Sequence, residues 1–246
     1  MAIDLYSGTP GSGKSLHLAR EIYDYCRMPK ERLVIANFSV DKTQLKHPER
    51  FVYMDNEDLT PERLIHIGKE RFDPSLSYSE RENSIILMID ECQILFNARS
   101  WNAKDRSAWV KFFTQHRKLG YSVILVAQFD LMIDKQIRAL IESQYVHRKL
   151  SSMGFFGLAL KYICRGDLYV AVEIFYALRL KTGQRFFRAR KKYYSLYDTS
   201  NLFEEFDYNG KTSNKEVSQL CDSSLSGVCS GELENGFERS EDTVLH

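Results

Sequence analysis

The feature that most limits what this chain can fold into is the run Gly8-Thr9-Pro10-Gly11-Ser12-Gly13-Lys14-Ser15. It follows the short apolar segment 3–6 directly, and Leu16, Ala19, Tyr23 and Cys26 then recur at helical spacing. Strand, glycine-rich turn and helix in that order form the setting in which G-x-x-x-x-G-K-[ST] cradles phosphate. The glycines let successive backbone N–H groups face an anion, and the helix N-terminus adds the positive end of its dipole. Gly8, Thr9, Pro10, Gly11, Ser12, Gly13, Lys14 and Ser15 are therefore expected to bind nucleotide. Lys14 reaches the β- and γ-phosphates in this reading, and Ser15 holds Mg2+ through its hydroxyl, so ATP and Mg2+ are the expected ligands.

A phosphate loop alone leaves the reaction open, and a second acidic site narrows it. Residues 85–89 are all apolar and end in Asp90-Glu91. A strand apolar on both faces belongs inside a parallel sheet. An aspartate at its end suits Mg2+, and the glutamate one residue on suits a general base for water. A further apolar run, 123–127, ends in Gln128. This order resembles the P-loop ATPases with an additional strand and a catalytic glutamate, whose next strand carries a polar sensor, and the resemblance implies that Gln128 senses the γ-phosphate or the lytic water. Taken alone, an Asp-Glu pair or an amide at a strand end also suits an ordinary polar turn.

Strand and helix patterns alternate through the first 150 residues. A β-rich run at 33–38 precedes a short strand at 51–54, a helix opened by Thr60-Pro61, and a polar loop at 73–83. A helix is expected over 104–119, with Trp109, Phe112, His116 and Leu119 on one stripe and Gly120 closing it. A helix capped by Asp134 follows to about residue 143, then a strand near 145–147. Short β runs at 160–164 and 169–175, joined by Arg165-Gly166-Asp167, suggest antiparallel strands. The expected fold class is α/β, a P-loop NTPase with a parallel sheet of the additional-strand, catalytic-glutamate type and a C-terminal antiparallel β extension. The expected organisation is an ATPase core at 1–150, a β extension with a basic edge at 151–200, and an acidic, disordered tail at 201–246.

Charge separates these regions. The chain of 246 residues carries 34 Lys and Arg against 33 Asp and Glu, a net +1 that is a cancellation. Residues 179–192 hold seven basic and no acidic residues, while 201–246 hold three basic and ten acidic ones, so the tail is charge-complementary to the strip. Arg188, Arg190 and Lys192 alternate, which predicts one face of a strand. With Phe186 and Phe187 beside them, they suit a nucleic-acid backbone, an anionic lipid surface, or a charged edge that resists aggregation. The five cysteines have no metal-ligand spacing, and their odd number excludes a fully paired disulfide framework. No run approaches the roughly 20 apolar residues of a membrane span. The opening residues lack a signal-peptide pattern, so the expected setting is cytosolic.

Three stretches resemble the zonular occludens toxin-like family, the assembly and export ATPases of filamentous phages. They are Ile89-Asp90-Glu91-Cys92-Gln93, the segment 112–120 (Phe-Phe-Thr-Gln-His-Arg-Lys-Leu-Gly), and 123–128. The late stretch 186–194 with Leu196-Tyr197 is similar to members from Gram-positive hosts, and the resemblance covers roughly residues 1 to 205. It implies an ATPase that extrudes phage single-stranded DNA as a ring-like homo-oligomer. DNA, coat or assembly proteins and the host inner membrane are the implied partners, and the implied place is the host cytoplasm, peripheral to that membrane. Family members usually carry a transmembrane helix and an outer domain after the ATPase domain, where this chain has its acidic tail. Arg117, on the helix before the Gln128 strand, is a candidate arginine finger toward a neighbouring subunit, or else a surface ion-pair partner. Two rival readings are a nucleotide kinase-like P-loop enzyme and an ATP-gated, non-hydrolysing scaffold for a membrane complex.

Overall fold

The sheet is organised around strands that are apolar on both faces. In a computed structural model that describes residues 2–71, 75, 77–97, 103–150, 162 and 166–197, every residue of β4 (Ile85–Ile89) is buried. So are four of the five in β1 (Ile3–Ser7). The remaining strands are β2 (Leu33–Ala36), β3 (Phe51–Tyr53), β5 (Tyr121–Ala127), β6 (Ser143–Lys149), β7 (Leu168–Phe175) and β8 (Leu180–Arg188). They form one sheet in the order β3-β2-β4-β5-β1-β6-β7-β8. The first six pair in parallel, whereas β7 pairs antiparallel with both β6 and β8.

Register decides where the chemistry lies. Ser7 is opposite Ala127, and Ile89 is opposite Leu125, so β1, β4 and β5 end on one edge of the sheet. β5 stands between β1 and β4 as the additional strand. Loop 8–15, Asp90 and Gln128 therefore leave the sheet side by side.

Helices cover both faces: α1 (Lys14–Tyr25), α2 (Pro61–Glu70), α3 (Tyr78–Arg81), α4 (Ala103–Gln115), α5 (Lys135–Arg138) and α6 (Lys191–Leu196). On one face Leu5, Leu87 and Leu125 pack with Trp109, Phe112 and Phe113. On the other, Tyr6, Met88 and Val126 pack with Leu18 and Ile22 of α1 and with Tyr169, Phe187 and Tyr193 from the later strands and helix. Each large apolar side chain so buried contributes about 1.5–3 kcal/mol. Thr60 caps α2 as expected, its Oγ1 accepting from the Arg63 N–H at 3.3 Å.

Several boundaries differ from expectation. α4 stops at Gln115 and continues as a 3-10 turn, His116–Leu119, closed by Gly120 at φ +80°. α5 ends at Arg138 rather than near 143, because the Glu142 N–H already donates to the Ile3 carbonyl (2.9 Å) and commits the chain to β6. The polar stretch 73–83 holds the one-turn helix α3, whose start is tied by Ser77 and Glu80.

The strand expected at 160–164 lies outside the described residues except for Tyr162, which is helical. β8 stops at Arg188, so Arg188, Arg190 and Lys192 do not share a strand face. Burial of Tyr193 and Leu196, three residues apart, favours a helix there, with Arg190 as its N-cap and Lys192 over the Tyr23 ring at 3.9 Å. The segment 201–246 lies outside the described residues. Cys26 and Cys92 are buried free thiols. Among the described residues no helix is long and apolar enough to cross a membrane.

Candidate functional site

Loop 8–15 wraps over the end of β1. The Ser12 N–H closes its turn onto the Thr9 carbonyl at 3.1 Å, and the Gly8 N–H ties it to the Gln128 carbonyl at 3.3 Å. Two glycines are required by contact as well as by conformation. A Cβ on Gly8 (φ +146°) would lie 2.7 Å from both the His147 carbonyl and Ser12 Oγ, and one on Gly13 (φ +95°) would lie 2.5 Å from the Tyr169 ring. Tyr169 belongs to β7, so the antiparallel extension presses directly on the loop.

Lys14 is buried, and its Nζ donates to the carbonyls of Gly8 (2.7 Å) and Thr9 (3.3 Å). Burial lowers its pKa, while the charges of Glu91 and Asp90 oppose that shift, so the acidic pair faces the loop. The Ser12 hydroxyl is buried and has no hydrogen-bond partner among the described residues. Such a group costs about 1–3 kcal/mol if left unpaired. A glycine-lined cradle holding an unpaired hydroxyl and a lysine suits phosphate.

Behind the loop, His17 Nδ1 and His147 Nε2 are 2.8 Å apart and link α1 to β6. Burial pushes His17 down to about 2 and His147 to about 4, so both rings are neutral and one donates to the other. His17 is stacked between Tyr6 and Phe187, at 4.8 Å and 4.6 Å.

Asp90 is held from every side. The Asn37 side chain accepts from its N–H (2.7 Å) and donates to its carbonyl (2.9 Å). Its Oδ1 accepts from the Glu91 N–H and its Oδ2 from the Tyr197 hydroxyl, each at 2.8 Å. Burial raises the Asp90 carboxyl, and the Tyr197 hydroxyl and Glu91 N–H pull it back down. Glu91 sits at φ +46°, in the left-handed region. For a residue with a Cβ this costs on the order of 1–3 kcal/mol, and such strain concentrates at functional sites. Gln93 donates its side-chain amide to the Glu91 carboxylate.

Gly8 to Ser15, Asp90, Glu91 and Gln128 are thus brought together at one edge. Arg117 is not. It lies in the turn before β5, at the opposite end of the strands, and pairs with Glu142 at 2.5 Å. His116 is buried beside it, its Nδ1 against the Phe113 carbonyl. Asn37 and Tyr197 are the site residues that sequence reasoning misses. Asn37 carries a usable signal, a polar residue ending an apolar strand as Gln128 does, whereas Tyr197 carries no local pattern beyond its place in the stretch similar to the family. Ser15 and Asp90 are hard oxygen donors. Among the described residues no cluster of three His, Cys, Asp or Glu could hold a metal. Two protein oxygens suit a Mg2+ that takes its other ligands from phosphate and water.

A parallel sheet with one strand inserted between the phosphate-loop strand and the acidic strand defines a P-loop NTPase fold of the additional-strand type. The chain belongs to the zonular occludens toxin (Zot) family, whose profile matches residues 2–201. It is similar to the Gene 1 protein of Enterobacteria phage M13, at 29% identity over 217 residues, covering 82% of this chain and 60% of that protein. The Gene 1 protein of Enterobacteria phage I2-2 is 30% identical over 159 residues, covering 62% of this chain and 42% of the relative. The chain therefore spans less than two thirds of the length of either relative. Its fold is also similar to the N-terminal domain of zonular occludens toxin from Neisseria meningitidis, with a TM-score of 0.49 and 20% identity over 80% of this chain and 98% of that one.

Proposed function

We propose that this chain is an ATPase that powers assembly and export of filamentous phage single-stranded DNA virions at the host membrane. The observation that carries the reading is the convergence of loop 8–15 with Asp90 and the strained Glu91 on one sheet edge. In this mechanism the loop N–H groups and the Ser12 hydroxyl receive phosphate oxygens, and Lys14 exchanges the Gly8 and Thr9 carbonyls for the γ-phosphate. Ser15 and Asp90 would hold Mg2+, which would neutralise charge on the phosphates. Glu91 takes a proton from water as the water oxygen bonds to the γ-phosphorus and the bond from that phosphorus to the bridging oxygen breaks, giving inorganic phosphate and ADP. Gln128 orients that water.

Arg117 has no in-subunit role here. It meets phosphate only across a subunit boundary, in a ring-like homo-oligomer and after leaving Glu142. DNA or coat and assembly proteins are the proposed partners, with a position peripheral to the inner membrane. The proposed organisation is a core at 1–150, its β extension at 151–200 and an acidic tail at 201–246.

Steady-state hydrolysis of Mg2+-ATP by the full chain and by Glu91→Gln tests the reading. The expected result is turnover that falls by roughly 10²-fold or more in Glu91→Gln while ATP still binds. ATP binding with no turnover that depends on Glu91 would instead support an ATP-gated scaffold.

A further inference from the structure

Tyr197 reaches the site from an element that takes no other part in it. α6 is tied down on two sides. The Asp41 N–H donates to the Leu196 carbonyl (3.0 Å), Gln44 Nε2 donates to the Ser195 carbonyl (3.1 Å), and the Ser195 hydroxyl donates back to Gln44 Oε1 (2.9 Å). Against α1, Tyr193 meets Tyr23 edge-on at 5.8 Å. The Tyr197 ring then rests on Phe38, 5.1 Å between centroids, just beyond β2. This packing aims one polar atom at the site. The Tyr197 hydroxyl donates to Asp90 Oδ2 at 2.8 Å.

That hydroxyl holds one Asp90 oxygen. The second Asp90 oxygen is fixed by the Glu91 N–H, so both carboxylate oxygens have set directions.

We infer that Tyr197 is a positioning residue that fixes the direction of the Asp90 carboxylate for a nucleotide-bound divalent cation. The segment 190–197 thereby becomes part of the metal site. This rests on the reading of Ser15 and Asp90 as the cation-facing pair. Partners that orient the groups around a metal typically govern its affinity by 10–100-fold.

The test uses the full chain, with ATP affinity measured by calorimetry in MgCl2 and in EDTA. The wild type is expected to bind ATP more tightly with Mg2+. Tyr197→Phe keeps the ring on Phe38 and is expected to lose about tenfold of that enhancement. Its affinity in EDTA and its thermal unfolding midpoint are expected to stay as in the wild type. An enhancement in Tyr197→Phe equal to or larger than that of the wild type overturns the inference, as does a loss that appears equally in EDTA. Asp90→Asn separates the two levels. If it loses the enhancement while Tyr197→Phe keeps it, only the role of Tyr197 fails. If the wild type itself shows no Mg2+ enhancement, the reading of Ser15 and Asp90 fails and takes this inference with it.

Discussion

The parallel strands β1 to β6 and the antiparallel extension β7–β8–α6 are built on opposite principles. Within the former, the central strands β1, β2, β4 and β5 bury both faces, and β4 exposes no residue at all. The latter is half open, with only Phe187 buried in β8. Yet both meet at the same loop. The parallel part supplies Lys14, Ser15, Asp90 and Glu91, while the extension sets Tyr169 against Gly13 and α6 delivers Tyr197 to Asp90. The difference teaches that reactive groups sit on the rigid layer, and the later, more exposed layer confines them.

Substitutions can separate the two contributions. The largest effect belongs to the parallel part: Lys14→Ala is expected to reduce ATP turnover by about 10²–10³-fold, the usual cost of removing a group that meets developing charge. A steady-state assay checks it, and near-normal turnover would move the chemistry away from the loop.

Gly13→Ala probes the contact between the layers. It is expected to destabilise the protein by roughly 1–3 kcal/mol in urea unfolding, from the positive φ together with the clash with Tyr169. Repeating it in a Tyr169→Ala background removes the clash and leaves the conformational cost. A positive coupling in that cycle measures how hard β7 bears on the loop. Full additivity would show that the two layers touch without constraining each other.

Asp4 on β1 extends the comparison to pH. Burial foremost, then the charges of Glu21 and Glu142, push it up to about 7, while Arg185 of β8 opposes them and Glu173 of β7 adds to them. An unfolded aspartate releases its proton near 3.8, whereas the folded one keeps it to about 7. The unfolded chain therefore loses the proton first, and stability falls as pH rises through that window before levelling off. Asp4→Asn is expected to flatten this dependence in denaturant titrations, with its advantage over wild type greatest at pH 7 and above. An unchanged pH profile would sink the assignment.

The smallest effect is expected from Lys192→Met, which removes the ammonium held over Tyr23 at 3.9 Å. About 0.5–1 kcal/mol of stability should go with it, readable as a small drop in the thermal midpoint. No drop would mean that the ammonium adds nothing to the hold that Tyr193, Leu196 and the Asp41 and Gln44 hydrogen bonds already have on α6.

How much of this was legible beforehand follows the same division. The loop, the apolar strand ending in Asp90-Glu91 and the inserted strand before Gln128 are local patterns, because a strand buried on both faces leaves a continuous apolar run. The clamps on Asp90 are not local. Asn37 lies 53 residues away from it and Tyr197 lies 107 away, and no periodicity links such positions. The end of the extension departs from its charge pattern for a related reason. Alternating charges at 188, 190 and 192 suggested a strand, but burial of Tyr193 and Leu196 against α1 outweighed the alternation and wound the chain into a helix. The sequence pattern carries α5 past its end because the hydrogen bond from Glu142 to the Ile3 carbonyl is invisible until β1 is in place.

The position of β1 bears on how the molecule must be made. This strand leaves the ribosome well before its partners, β5, with Ile3 opposite Val123, and β6, with Asp4 opposite Ser143. At synthesis rates of about 5–20 residues per second, β1 waits several seconds for either neighbour. Loop closures this long slow folding and leave an apolar segment uncovered meanwhile. Since Tyr197 comes later still, a site that starts at the end of β1 is completed only by residue 197, and a nascent chain that stops before it has no finished site to expose to nucleotide.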